Sequence, residues 1–208
     1  MTLFEPAHRT ESLAARAALM FLQNAEAAQE DLTHAARREG LPVLQATLLV
    51  RSHLAGSEGV TVSALSEALH LTPPTVSDSL KALVRKGFLT RRRSPEDGWR
   101  VIFRPSASGI ESAQRVMAWA GPLEDSLDRM TTDEQRSVMC ALTRLLHDRV
   151  HEGYRVEEPM CASCTDFEVI SWSEGRFRCR ARQSWLPIEG LRTDCPGHSP
   201  WVEEQRPS

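Results

Sequence analysis

The segment from Thr61 to Arg104 limits what this chain can fold into more than any other. Thr61 to Leu69 carries apolar residues at Val62, Leu65 and Leu69, the spacing of a short amphipathic helix. Leu71-Thr72-Pro73-Pro74 then turns the chain. Thr72 is a good N-cap, and Pro73 takes the first helical position, where a missing N–H costs nothing. The helix that follows runs to Lys86, with Gly87 as its stop. Phe88 to Arg93, a Ser-Pro-Glu-Asp-Gly turn and Trp99 to Arg104 read as a β-hairpin.

Two tandem helices followed by a basic hairpin predict a winged helix-turn-helix. The second helix puts Thr72, Thr75, Ser77, Asp78 and Lys81 on its N-terminal, solvent-facing side, and turns Val76, Leu80, Leu83 and Val84 inward. Arg91, Arg92, Arg93 and Arg100 cluster on the hairpin. A helix of this kind fits the major groove with its N-terminal polar residues at base edges. A hairpin of this charge neutralises phosphates or enters a narrow minor groove. The expected partner is double-stranded DNA.

Charge supports the same partner. Between Val60 and Arg104 stand eight Lys or Arg against four acids, a net +4 in a chain of −3, so the remainder carries −7. A basic island in an acidic chain grips polyanions. No run approaches the ~18 apolar residues of a membrane helix. The opening MTLFEPAHRTES lacks a signal peptide's basic flank and apolar stretch, so a cytoplasmic, reducing location is expected. There is no Walker loop, Rossmann glycine pattern or nucleophile elbow, and no enzyme is expected.

Long helices flank the winged segment. Thr10 to Glu39 reads as one, rich in Ala, Glu and Gln and stopped by Gly40; Val43 to Leu54 is a second. Ala107 to Met130 follows the hairpin, with an interruption expected at Gly121-Pro122. Asp133 to Glu152 comes last, with Thr132-x-x-Gln135 read as a capping box. The architecture is therefore mainly α with a small β-hairpin wing. Its two domains are 1–153 for DNA binding and dimerisation and 154–208 for a small Cys-rich β-hairpin tail.

The stretch LSEALHLTPPTVSDSLKALVRKGFLTRRRSPEDGWRVIFRPSASG resembles the core of the MarR (multiple-antibiotic-resistance regulator) family. That family typically shows a leucine-Ser/Thr-Pro-x-Thr-Val-Ser recognition helix, a Gly-hydrophobic pair and a wing with Asp-x-x-Arg or Asp-Arg-Arg. Asp97 and Arg100 match the wing pattern, and Gly109 falls where the family's next helix opens. The resemblance runs from about Thr10 to Gly153 and implies a two-fold homodimer joined through the first and the last two long helices. Apolar residues on the first helix, and Met117, Trp119 and Leu123 later, are more surface than a monomer needs. Gly98-Trp99 stands where the family usually has arginine beside the wing aspartate. The chain also continues some 50 residues past the usual end, which suggests an added sensor.

The tail carries its own signal. Cys161-Ala-Ser-Cys164 is followed after 14 residues by Cys179, and after 15 more by Cys195-Pro-Gly-His198. Cysteines in a reducing compartment are more often metal ligands or reactive thiols than disulfides. A Pro/Gly-rich segment too small to bury a core gains folding energy from a metal. Phe177, Cys179 and Ala181 alternate with Arg176, Arg178, Arg180 and Arg182, a half-buried strand facing Phe167 to Trp172 across a Ser-Glu-Gly turn. That strand aims Cys179 inward toward the Cys161-x-x-Cys164 loop.

Four thiolates at Cys161, Cys164, Cys179 and Cys195 suit an iron–sulfur cluster, the reading preferred, and also zinc. In a zinc-knuckle arrangement His198 replaces Cys179 as a ligand. A dithiol redox switch and plain buried cysteines are the remaining readings. His147-x-x-x-His151 reads as a solvated helix end and Cys140 as a small buried hydrophobe. The Arg176 to Arg182 face reads as a solvated charge run.

These observations lead to a homodimeric, DNA-binding transcription regulator on palindromic operators, whose four-cysteine centre senses redox state, iron or another metal. Two alternatives stay open. One is a repressor answering to a small aromatic ligand, with a purely structural zinc tail. The other is a redox protein that happens to contain a winged helix.

Overall fold

The structure, a computed structural model, describes residues 12–93, 101–156 and 158–201. It divides into two compact units, Met1–Asp125 and Ser126–Ser208.

The first unit opens with α1 (Leu13–Arg38), capped by Ser12, whose hydroxyl accepts from the Ala15 N–H. Then come α2 (Val43–Leu54), α3 (Val62–Ala68) and α4 (Pro73–Arg85). The caps expected for α3 and α4 are in place. Thr61 Oγ1 accepts from Ala64 N–H, and Thr72 Oγ1 from Thr75 N–H. Strands β1 (Leu89–Arg93) and β2 (Val101–Pro105) pair antiparallel, Leu89 opposite Pro105 and Arg93 opposite Val101. Helix α5 (Ala107–Met117) follows. A 3-10 turn at Ala118–Ala120 separates it from α6 (Gly121–Asp128), so the interruption expected at Gly121-Pro122 begins three residues earlier.

What holds this unit together is a single apolar cluster. Leu48 and Leu49 of α2, Leu65 of α3, Val76, Leu80 and Leu83 of α4, Phe103 of β2 and Val116 of α5 are all buried in it. Truncating a leucine in such a site costs about 2–5 kcal/mol. One wing contact was not legible in the sequence. Val60 exchanges both backbone hydrogen bonds with Phe103, at 2.9 and 2.8 Å, and so adds a one-residue third strand. A single paired residue leaves no alternating pattern to read. Gly59 permits it: its φ is +70°, and a Cβ there would lie 2.7 Å from the Phe103 carbonyl oxygen.

The second unit contains α7 (Thr132–His151) and the tail. Strands β3 (Phe167–Ser171), β4 (Arg176–Cys179) and β5 (Ser184–Leu186) form one antiparallel sheet in that order. Phe167, Phe177 and Ile188 are its buried centre, and Met139 and Cys140 of α7 pack against them. The last long helix thus folds with the tail, and the division falls at 125/126 where composition had drawn it at 153/154. The shift in composition after Tyr154 marked where the helix ends, not which core it serves.

Two local expectations need correcting. The capping box of α7 is Thr131 with Glu134, one residue before the Thr132/Gln135 pair, because only Thr131 has the extended backbone of a cap. Strand β4 ends at Cys179; Arg180 to Gln183 form a turn, with Gln183 at φ +50°, so Ala181 and Arg182 leave the alternation. That turn returns the chain into β5, which had not been foreseen.

Candidate functional site

Helix α4 has two contrasting faces. Val76, Leu80 and Leu83 are fully buried, whereas Thr72, Thr75, Asp78 and Lys81 are exposed and Ser77 is half-buried. The hydroxyls of Thr72 and Thr75 are 2.8 Å apart, and Lys81 Nζ donates to Asp78 Oδ1 at 3.1 Å. This polar face therefore carries its own neutralising pair and, beside it, two exposed hydroxyls hydrogen-bonded to each other. Beside it, β1 exposes Arg91, Arg92 and Arg93. Arg91 pairs across the ladder with Phe103. By the two-residue period of a strand, Arg91 and Arg93 share one face of the wing and Arg92 takes the other. No acidic side chain is paired with the three guanidiniums among the described residues. Arg100, Asp97 and Gly98-Trp99 lie outside the described residues.

In the second unit the structure brings four of the five cysteines to one place. Cys161, Cys164, Cys179 and Cys195 line a cavity of about 60 Å³, walled by Phe167, Ala181, Arg182, Leu186 and Gly197. Two loops make this possible. Cys161 N–H donates to the Arg192 carbonyl at 2.9 Å and Thr165 N–H to that of Ser199 at 2.8 Å, so the chain on either side of Cys195 runs alongside the Cys161-x-x-Cys164 turn. The sheet delivers Cys179, which is the register partner of Phe167. The Arg192 N–H also points at Cys161 Sγ, at 3.3 Å. Burial pushes the Cys161 thiol above its usual pKa. The Arg192 N–H works against that rise, and Cys195, Cys164 and Cys179 add to it.

His198 takes a different position. Its Nε2 is 3.0 Å from Ser163 Oγ, and the residue is not among those lining the cavity. Cys179, which the zinc-knuckle arrangement would leave outside, is inside. Among the described residues, no three His, Cys, Asp or Glu side chains are drawn close enough to hold a single metal ion.

Residues 39–98 match the sequence model of the MarR family. This segment is a MarR-family domain. No curated protein matches the chain. Solved structures share its fold. MepR, a transcription regulator of the Staphylococcus aureus multidrug efflux pump MepA, is 22% identical with a TM-score of 0.53; the match covers 63% of this chain and 96% of that one. A complex of S. aureus MepR with DNA gives 21%, 0.52, 63% and 96%. YusO from Bacillus subtilis gives 18%, 0.53, 65% and 96%.

Neither the thiol cavity nor the His147/His151 pair lies within the matched MarR segment. The pair is not the solvated helix end its spacing suggested. His147 stacks on His151 at 4.0 Å, and lies edge-on to Trp172 and Phe167 at 5.5 and 5.9 Å. His151 in turn stacks on Trp201 at 4.0 Å. Two imidazoles in an aromatic column are invisible to helical spacing, because their partners come from the sheet and from the loop after Cys195. Cys140 is half-buried and polar in its contacts: its thiol donates to the Trp172 carbonyl at 3.2 Å. In the arginine strip, Arg176 lies over the Trp185 ring at 5.5 Å and Arg180 donates to the Thr165 carbonyl, so these two are not simply solvated. Nothing in the sequence pointed to Arg192 or Ser163. Both act through local geometry that residue type does not announce.

No helix among the described residues is long and apolar enough to cross a membrane.

Proposed function

We propose that this chain is a DNA-binding transcription regulator that works as a homodimer on two-fold-related half-sites, with the four-cysteine tail as its sensing element. The carrying observation is the α4 face: exposed threonines and Lys81 opposite a fully buried Val76-Leu80-Leu83 stripe, next to three exposed wing arginines. Helix α4 enters the major groove with Thr72, Thr75, Ser77, Asp78 and Lys81 toward base edges. Arg91, Arg92 and Arg93 follow the flanking backbone. The likeness to a MepR structure solved with DNA supports this docking.

The dimer rests on α1. Leu13, Met20 and Phe21 are at least half exposed in the single chain, an apolar surface that a second copy would cover. Two recognition helices related by a two-fold axis require half-sites about 34 Å apart. The tail then acts by population shift: what the cysteine centre binds, or its redox state, favours one spacing of those helices over another.

Selection of bound duplexes from a random-sequence pool tests the core of this reading. The expected outcome is an enriched palindrome with half-sites one helical turn apart, whose affinity falls steeply with salt. A pool that stays unenriched, bound alike by wild type and by a triple Arg91/Arg92/Arg93→Ala variant, would overturn it.

A further inference from the structure

We infer that Cys161, Cys164, Cys179 and Cys195 hold an iron–sulfur cluster and not a lone metal ion. The inference deepens the sensing role proposed above and names the group on which it depends.

The donor set comes first. Four thiols line the cavity with no carboxylate and no imidazole among them, and soft sulfur ligands select zinc, copper(I) or iron–sulfur centres over hard oxygen-seeking cations. His198 is held at Ser163, so the set is four cysteines and not three with a histidine.

Spacing then separates the metals. Tetrahedral zinc sits about 2.3 Å from each sulfur, which draws any two sulfurs to within about 4 Å and leaves no room between them. Among the described residues no group of three or more His, Cys, Asp or Glu forms a ready-made site for one such ion. The thiols stand instead around a space of about 60 Å³. At roughly 30 Å³ per water-sized body, that space admits about two of them. That exceeds a single ion and is the room that the two bridging sulfides of a two-iron core need, short of the eight atoms of a cubane.

The walls agree. Phe167, Ala181 and Leu186 make most of the wall apolar, with Arg182 its one charged side chain, and the tail's apolar cluster among the described residues buries Phe167, Phe177 and Ile188. A core that small gains much of its folding energy from a bound centre. The Arg192 N–H aimed at Cys161 Sγ would stabilise negative charge on that sulfur, the kind of contact that raises a cluster's reduction potential.

The test uses the full chain purified without oxygen, then incubated in parallel with ferric iron plus sulfide and with zinc alone. Iron, acid-labile sulfide and zinc per chain are measured together with visible absorption. The expected result is two or more irons with matching sulfide in a brown protein. Each single change of Cys161, Cys164, Cys179 or Cys195 to Ser should lose most of that iron and sulfide, while Cys140→Ser and His198→Ala keep it. Helix content by circular dichroism identifies a cysteine variant that has merely unfolded, and the two retaining variants control for general damage. One tightly held zinc per chain without sulfide would overturn the inference. So would iron that survives in two or more of the four cysteine variants, or a chain that takes up neither metal. Duplex binding by the same preparations keeps the two readings apart. A loaded cluster in a protein that binds no DNA defeats the regulator and leaves the cluster standing.

Discussion

Arg115 clamps Glu39 with two parallel hydrogen bonds, Nε to Oε1 at 2.8 Å and Nη2 to Oε2 at 2.9 Å. Glu39 is the C-cap of α1 and Arg115 lies in the last turn of α5, so the pair ties two helices 76 positions apart. The Arg115 hydrogen bonds hold the Glu39 carboxyl below its usual pKa, against a smaller opposing effect of burial. A carboxylate lowered on folding contributes stability that is fully present above its unfolded pKa and is lost as pH falls through its folded one. Glu39→Gln should therefore lower the melting temperature by about 1–3 °C near neutral pH, the modest effect of a partly exposed pair. The gap between mutant and wild type should close as the pH drops below the usual carboxylate range. Thermal melts across that range check it, and a gap that widens in acid contradicts the assignment.

Gly109 tests the joint between wing and helix bundle. A Cβ at this position would lie 1.9 Å from the Phe88 carbonyl oxygen, and that oxygen already accepts from Ser106 N–H at 3.0 Å. Backbone cannot swing aside as a flexible side chain does. Gly109→Ala should cost about 1–3 kcal/mol or more, as forced overpacking does. Chemical denaturation of Gly109→Ala beside the neutral control Gly121→Ala, where added Cβ space is open, would measure the difference.

Much of this architecture could be read before any coordinates because its signals are local. Thr72, Pro73 and Gly87 punctuate α4 from within a few residues, and the 3.6-residue spacing of Val76, Leu80 and Leu83 fixes its buried face. The cysteine spacing and the Arg176-Phe177-Arg178-Cys179 alternation likewise aimed Cys179 at Cys161 and Cys164 correctly. What could not be read is long-range. The loop pairing of Cys161 with Arg192, the aromatic column through His147 and the allegiance of α7 to the tail depend on contacts across tens of residues. No periodicity encodes those contacts. The Val60 to Phe103 bridge escaped for the same reason, being one residue long.

The aromatic column should give the second unit a pH response. Burial lowers the His147 pKa, and the neighbouring His151 lowers it further; Asp148, whose Oδ1 is 3.7 Å from Nδ1, opposes both. A histidine whose pKa falls on folding binds its proton more readily when unfolded. Stability therefore declines as the pH drops through the unfolded value, near 6.5 for histidine, toward the folded one. Tryptophan fluorescence of Trp172 and Trp201 should follow this loss in wild type between about pH 7 and pH 5. His147→Gln should flatten the profile there while costing some stacking at neutral pH. An unchanged slope in the variant would place the response elsewhere.

Binding to DNA should divide the site residues into two classes. Arg92 extends from the wing with no acidic partner among the described residues and is suited to a phosphate contact. Each phosphate neutralised contributes about −0.9 to the slope of log affinity against log salt. Arg92→Ala should weaken binding to every duplex alike and make that slope shallower by about 0.9 per protomer, or about 1.8 for a dimer. Thr75 sits at the exposed start of α4 with its hydroxyl 2.8 Å from that of Thr72, and the proposed docking turns it toward a base edge. Thr75→Ala should leave the salt slope alone and reduce discrimination between the selected palindrome and a scrambled duplex, by about 1–3 kcal/mol if the lost contact is a good one. Fluorescence anisotropy at several salt concentrations, on both duplexes, measures slope and discrimination in one experiment. If the two variants change both quantities in the same proportion, the assignment of reading to α4 and gripping to the wing is wrong. If they separate as stated, Asp78→Asn becomes informative: freeing Lys81 from its 3.1 Å partner should then strengthen binding to both duplexes.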